Sequence, residues 1–198
     1  RGIGKRSIVV KPNHVLICVP LACTHVETLE GILEFLKSIR KLDNVIIAES
    51  SASCPTLEGF DNYGYFSLLS KYPVKLVDLD DEPFELMYVL NEKDFRPQPI
   101  RVSSVITDPD SYVVSVARMK THNTVGATLS LKNIVFGSPI KDKGFTLYNE
   151  DLRFSPEKAK VSKEGSVSHK RAIHGNGFHA VNFNMANLAQ KLHPDLAV

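Results

Sequence analysis

Cysteine is scarce in this chain: three in 198 residues, Cys18, Cys23 and Cys54. An odd number cannot close a full disulfide framework, and the spacing lacks the paired CxxC of zinc sites and the cysteine run of iron–sulfur sites. The expectation is a reducing, cytoplasmic setting, with the cysteines as small buried hydrophobes and no iron–sulfur ligand set in this chain. Long apolar runs are missing too. No segment approaches the roughly 18 consecutive apolar residues of a membrane span, and Arg1 to Arg6 leads into a short apolar run broken by Lys11 and Pro12. No membrane association is expected. Walker A, GxSxG and HExxH motifs are absent, as are internal repeats and low-complexity segments, which removes the familiar signatures of P-loop, serine-hydrolase and zinc-protease chemistry.

Charge of one sign is not in large excess: 24 Lys+Arg face 22 Asp+Glu, in a chain that is 43% hydrophobic and 23% charged. That is the composition of a folded globular domain. The charge is unevenly placed, however. Residues 1–99 hold 11 basic and 14 acidic side chains, whereas residues 100–198 hold 13 and 8 together with five of the seven histidines. An anion is drawn to the second half. Aromatics are not interleaved with its basic stretch, so nucleic acid is not the expected partner.

What is present is an alternation of strand and helix signals. Ser7–Val10 and Val45–Ala48 are continuous β-branched or apolar runs, the pattern of strands buried on both faces. Between them Leu29, Ile32, Leu33, Leu36 and Ile39 repeat at helical spacing, and Thr24 with Glu27 has the spacing of a capping box. A second helix is expected over 60–71 and a strand over 74–79, then antiparallel or peripheral strands at 86–90 and 100–106. Tyr112–Ala117 is another buried strand; a helix is expected from about Thr124 to Val135, closed by Gly137 and Pro139. Residues 138–177 form an irregular basic region. Phe178–Leu192 is a last helix, and Leu196–Val198 the start of a strand, so the chain is expected to continue. The expected fold is a single α/β domain over 1–198, an open, mostly parallel sheet with helices on both faces, Rossmann-like, with an antiparallel or irregular addition.

In such sheets ligands collect at the carboxyl ends of the strands. Lys11 and Asn13 follow the first strand, Ser50 the second, and Lys120 with His122 the strand at 112–117. Lys120 and His122 are two apart and share a side if extended. Thr124 is placed to cap the following helix and leave amides free for an anion, with Lys132 and Asn133 two turns on. Lys120 and His122 are the candidates for proton transfer, and Lys11, Asn13, Ser50, Thr124, Lys132 and Asn133 for ligand binding. His169, His174 and His179 recur every five residues, a spacing no regular element brings to one face; His169 and His174 are metal candidates only through an irregular loop. Gly175–Ala180 matches GxGxxA formally, but no strand leads into it.

Taken in order, Lys11-Pro12-Asn13, Glu49-Ser50-Ser51, Asp78-Leu79-Asp80, Lys120-Thr121-His122, Lys132-Asn133 with Gly137, and the histidine-bearing region before the last helix resemble the family called domain of unknown function 362. The resemblance spans nearly the whole chain; K-x-H … K-N-x-x-x-G is its most specific part. It implies a prokaryotic α/β domain, sometimes fused to ferredoxin-like iron–sulfur modules. Two functions stay open: binding of a small carboxylate or phosphate at the strand-end edge, in a redox-linked enzyme, or a non-catalytic module docking an acidic or iron–sulfur partner through the basic region.

Overall fold

The computed structural model describes residue 4 and residues 7–17, 19–122, 124–146 and 165–198. Strand β1 (Ser7–Lys11) leads through a 3-10 turn at Pro20–Ala22 into helix α1 (Val26–Ser38), followed by β2 (Val45–Glu49), α2 (Thr56–Asn62) and β3 (Lys75–Asp78). A hairpin of β4 (Phe84–Leu90) and β5 (Pro97–Ser103), with the single turn α3 (Ser104–Thr107), precedes β6 (Ser111–Ser115). A shorter hairpin, β7 (Lys120–His122) and β8 (Gly126–Thr128), opens onto α4 (Ser130–Gly137). The turn α5 (His169–Ala172), helix α6 (Phe178–Ala189) and β9 (Leu196–Ala197) follow.

Five strands form one sheet in the order β3-β2-β1-β6-β9, every neighbouring pair parallel, and each hairpin forms a separate antiparallel pair. Side chains alternate across β1, as the pleat requires. Ile8 and Val10 turn toward Leu29, Leu33 and Leu36 of α1 and Phe60 of α2. Val9 turns the other way, toward Val102 of β5, Ile134 of α4 and Val181 of α6. With both faces covered, the strands need no polar side, which is why β1 and β2 read as unbroken apolar runs. The sheet order reverses between β1 and β6, and a crevice opens beyond their carboxyl ends at such a reversal. Among the described residues no helix is long and apolar enough to cross a membrane.

Three local expectations give way to tertiary contacts. The capping box at Thr24 does not form: Thr24 Oγ1 accepts from the Asn13 amide at 2.9 Å and donates to the Val116 carbonyl at 2.7 Å, tying the exits of β1 and β6 together. His25 stands at the cap of α1 instead, and Ile39 lies beyond the helix end, exposed. The helix expected over 60–71 is split by Gly64, whose φ of 70° ends α2 before a 3-10 segment at Tyr65–Ser70. The helix expected from Thr124 is a hairpin, turned at Gly126 with φ 75°, and helical structure starts only at Ser130. Thr124 therefore caps no helix. The irregular basic region is described only at its ends, where Lys141 bridges to Ser168; Arg153, Lys158, Lys160 and Lys163 lie outside the described residues.

A buried asparagine fastens the β4–β5 hairpin to α6. Asn184 is fully buried; its Oδ1 accepts from the Leu90 amide at 2.7 Å, and its Nδ2 donates to the carbonyls of Leu90 at 2.8 Å and Ile173 at 3.0 Å. Leucine would fill the space and leave those backbone groups unpaired. Asn184→Leu is expected to cost about 2–4 kcal/mol, seen as a lower urea midpoint with an unchanged slope.

Candidate functional site

The carboxyl ends of β1 and β2 carry a buried ion pair. Lys11 has no exposed surface; its Nζ donates to Glu49 Oε1 at 2.6 Å. That carboxylate is fully engaged, Oε2 accepting from the His14 amide at 3.1 Å and Oε1 also from the Ser50 amide at 2.8 Å. Helix α4 closes over the pair. Asn133 Nδ2 donates to the Lys11 carbonyl at 3.2 Å and Ser115 Oγ at 3.1 Å, while its Oδ1 accepts from Asn13 Nδ2 at 2.9 Å. One turn on, a Cβ at Gly137 would overlap Lys11 Nζ and Cε. The spacing K-N-x-x-x-G thus has a physical basis: Asn133 and Gly137 share the helix face laid against β1.

Beside this pair lies a pocket of about 120 Å³ whose wall includes Lys11, Asn13, His14, Ser50, His122, Thr128, Lys132, Asn133, Phe136, Lys170 and His174. Its one carboxylate among the described residues, Glu49, is committed to Lys11. Lys132 has no carboxylate or hydrogen-bond partner among the described residues; its Nζ lies 4.7 Å from the centroid of the Phe136 ring. Burial, reinforced by Lys120, draws its ammonium down to about 8. Lys170 is buried, and its Nζ donates to the Gly137 carbonyl at 2.7 Å. Burial draws it down to about 7, Lys11 and Lys141 acting with burial, and Glu49 and Asp80 against it.

The pocket's imidazoles are held in opposite tautomers by the backbone. His122 Nδ1 accepts from the Thr124 amide at 3.2 Å, so in the neutral ring the proton sits on Nε2. His174 Nδ1 lies 3.2 Å from the Lys170 carbonyl, which can only accept, so this ring carries its proton on Nδ1 and a lone pair on Nε2. The ring centroids are 6.2 Å apart. Burial first, then Lys132, lowers His122 to about 4, and burial lowers His174, which keeps both neutral at pH 7. Two further wall groups are buried without partners: both ring nitrogens of His14 and Thr128 Oγ1.

Of the residues singled out in the sequence, Lys11, Asn13, Ser50, His122, Lys132 and Asn133 come together here, as does His174. Ser50 Oγ is taken by Asp80 Oδ1 at 2.6 Å. Lys120 stands outside the wall: its ammonium bonds to Asn13 Oδ1 and, at 3.1 Å, to the Ala22 carbonyl. Thr124 serves His122 rather than a helix terminus, Oγ1 lying 3.1 Å from Nδ1. His169 accepts from Arg101 Nε at 2.8 Å, and His179 packs edge-on against Phe178. Among the described residues no group of three His, Cys, Asp or Glu side chains is placed to hold a metal ion. At the start of α6, where GxGxxA falls, Glu92 already sits as an anion, its Oε2 accepting from the Ala180 amide at 2.8 Å. Cys23 is buried and its thiol pushed up to about 11 by burial; Cys18 lies outside the described residues.

His14, Thr128 and Lys170 were not singled out as site residues. His14 had a signal, directly following Lys11-Pro12-Asn13 at a strand exit; Lys170 was one among many lysines of a basic stretch. Residues 8–198 match the family described as domain of unknown function, DUF362. This chain belongs to that family. No curated protein and no solved structure matches this chain.

In this DUF362 domain Glu49 is what makes a buried Lys11 tolerable, so Glu49→Ala is expected to cost about 3–5 kcal/mol by stranding the charge. Lys11→Met with Glu49→Leu removes both charges and is expected to recover most of that loss. Denaturant titrations of the three proteins check it; a double variant as unstable as Glu49→Ala would contradict the assignment.

Proposed function

We propose that the domain binds a small anion, a carboxylate or phosphate, in the pocket at the carboxyl edge of its sheet, with Lys132 and Lys170 holding the charge and His122 and His174 able to exchange a proton with the ligand. One observation carries this reading: two buried lysines face a pocket whose only carboxylate among the described residues already serves a third. Unpaired buried charge is costly, and an anion supplies what the protein withholds. The pocket's volume lies below the roughly 300–1,000 Å³ of sites for drug-sized ligands. In this reading Lys120 is a positioning residue, holding the Asn13 amide that Asn133 reads from the other side.

The alternative, docking of an acidic or iron–sulfur partner through the basic region, has less support in the part described. Lys141 is buried against Asp80, Lys143 pairs with Asp81, and Lys170 turns into the pocket, which leaves Arg171 exposed.

Lys132→Met and Lys170→Met are expected to fold at least as stably as the parent, since each replaces an uncompensated buried charge by an apolar chain of similar length. Both are expected to lose sulfate binding, measured by calorimetry. Unaltered sulfate binding in both variants, or none in the parent, overturns the reading. The pH dependence has a definite sign. Lysines at about 7 and 8 are charged below those values and lose charge as pH rises through them. Sulfate keeps its own charge over this range, so its Kd is expected to rise at least about tenfold between pH 6 and pH 9.

A further inference from the structure

We propose that Lys132 is a nucleophile that forms an imine with a small 2-oxo acid, the acid's carboxylate lying on Lys170; this rests on the anion site proposed above. Four features of the pocket converge on it. Lys132 Nζ makes no hydrogen bond or ion pair among the described residues and rests only on the Phe136 ring. An ammonium whose sole task was to balance charge would be expected beside a carboxylate, as Lys11 is beside Glu49 and Lys141 beside Asp80. The helix that carries Lys132 is fixed in place by its neighbour Asn133 and by the close fit of Gly137 over Lys11. Lys170 spends one of its three N–H bonds on the Gly137 carbonyl and keeps the others for a carboxylate. Finally, the two histidines supply one lone pair and one N–H, and Thr128 Oγ1 is buried with no partner.

Imine formation needs these groups. The Lys132 amine lone pair adds to the 2-oxo carbon; a C–N bond forms, and the carbonyl π pair moves onto oxygen, which accepts a hydrogen bond from the Nε2–H of neutral His122. His174 Nε2 accepts a proton from the amine nitrogen and passes it to that oxygen, giving a neutral carbinolamine and a neutral His174. The second nitrogen proton follows the same route to the hydroxyl as the C–O bond breaks; water leaves, and the nitrogen lone pair closes the C=N bond. Amine and ketone have become imine and water, with no change of oxidation state. Desolvation supplies the free base: with the ammonium at about 8, about a tenth is amine at pH 7. The pocket's small volume suits a two- or three-carbon acid, glyoxylate or pyruvate.

The test is reductive trapping. The protein is incubated with pyruvate and sodium cyanoborohydride, and peptide mapping locates any N-carboxyethyl lysine. The expected result is one adduct per chain on Lys132, formed at least about tenfold faster than on any exposed lysine and suppressed by excess sulfate. Lys132→Arg is expected to keep sulfate binding and lose the adduct. Adducts spread over exposed lysines without preference for Lys132 overturn the proposal. Sulfate binding without a Lys132 adduct overturns the imine and leaves the anion site standing, whereas loss of both overturns both.

Discussion

The buried pair of Lys11 and Glu49 sets the terms for everything at the carboxyl edge of the sheet. A lysine with no exposed surface is held as a charge only by a carboxylate in direct contact and by backbone donors that complete that carboxylate's shell. The ammonium fills the space where a side chain at position 137 would lie, so α4 can approach β1 only with glycine there. That approach brings Asn133 within reach of the Lys11 carbonyl and carries Lys132 and Phe136 to the pocket wall. One ion pair thereby fixes where the rest of the wall stands.

The electrostatics around the pair are deliberately uneven. Lys141 and Asp80 form a second satisfied pair, in which burial alone would raise the carboxyl but Lys141 and Lys170 hold it low. Burial and Asp80 push neighbouring Asp78 up to about 6. Against these two settled pairs, Lys132 and Lys170 are drawn toward neutrality by burial and by one another's kind. The same edge of the sheet thus pairs two lysines with carboxylates and leaves two others without one among the described residues, and it is on that contrast that the proposed anion site rests.

The sheet was legible in the sequence because strands covered on both faces leave unbroken apolar runs, and β1, β2 and β6 are such runs. The antiparallel strands β4 and β5, helix α6 and the strand at Leu196 also left ordinary patterning, although the strand expected over 100–106 ends at Ser103 and residues 104–107 turn helical in α3. Thr24 and Thr124 misled for the same reason: each has the local chemistry of a helix cap, and each is claimed by a partner, Val116 or His122, that local rules cannot see. The site was legible as far as topology carries it. Parallel strands bring Lys11, Asn13 and Ser50 to one edge wherever the chain goes between them, and the lysine and asparagine before Gly137 join them. What stayed hidden was which lysine faces inward. Lys120 and Lys170 differ in tertiary placement, one bonded to Asn13 and outside the wall, the other in it.

The wall of the pocket draws on residues 11–15, 49–52, 122–137 and 170–174, segments separated by most of the chain's length. No one of these segments holds more than a part of it. The site comes into being only when the sheet, the second hairpin, α4 and the turn before α6 are all seated, and any opening that lifts one of them dissolves it. An occupant of the proposed site would therefore act as a clasp on the whole molecule: its binding energy would be shared by every segment at once, and loosening of any of them and emptying of the pocket would become one event.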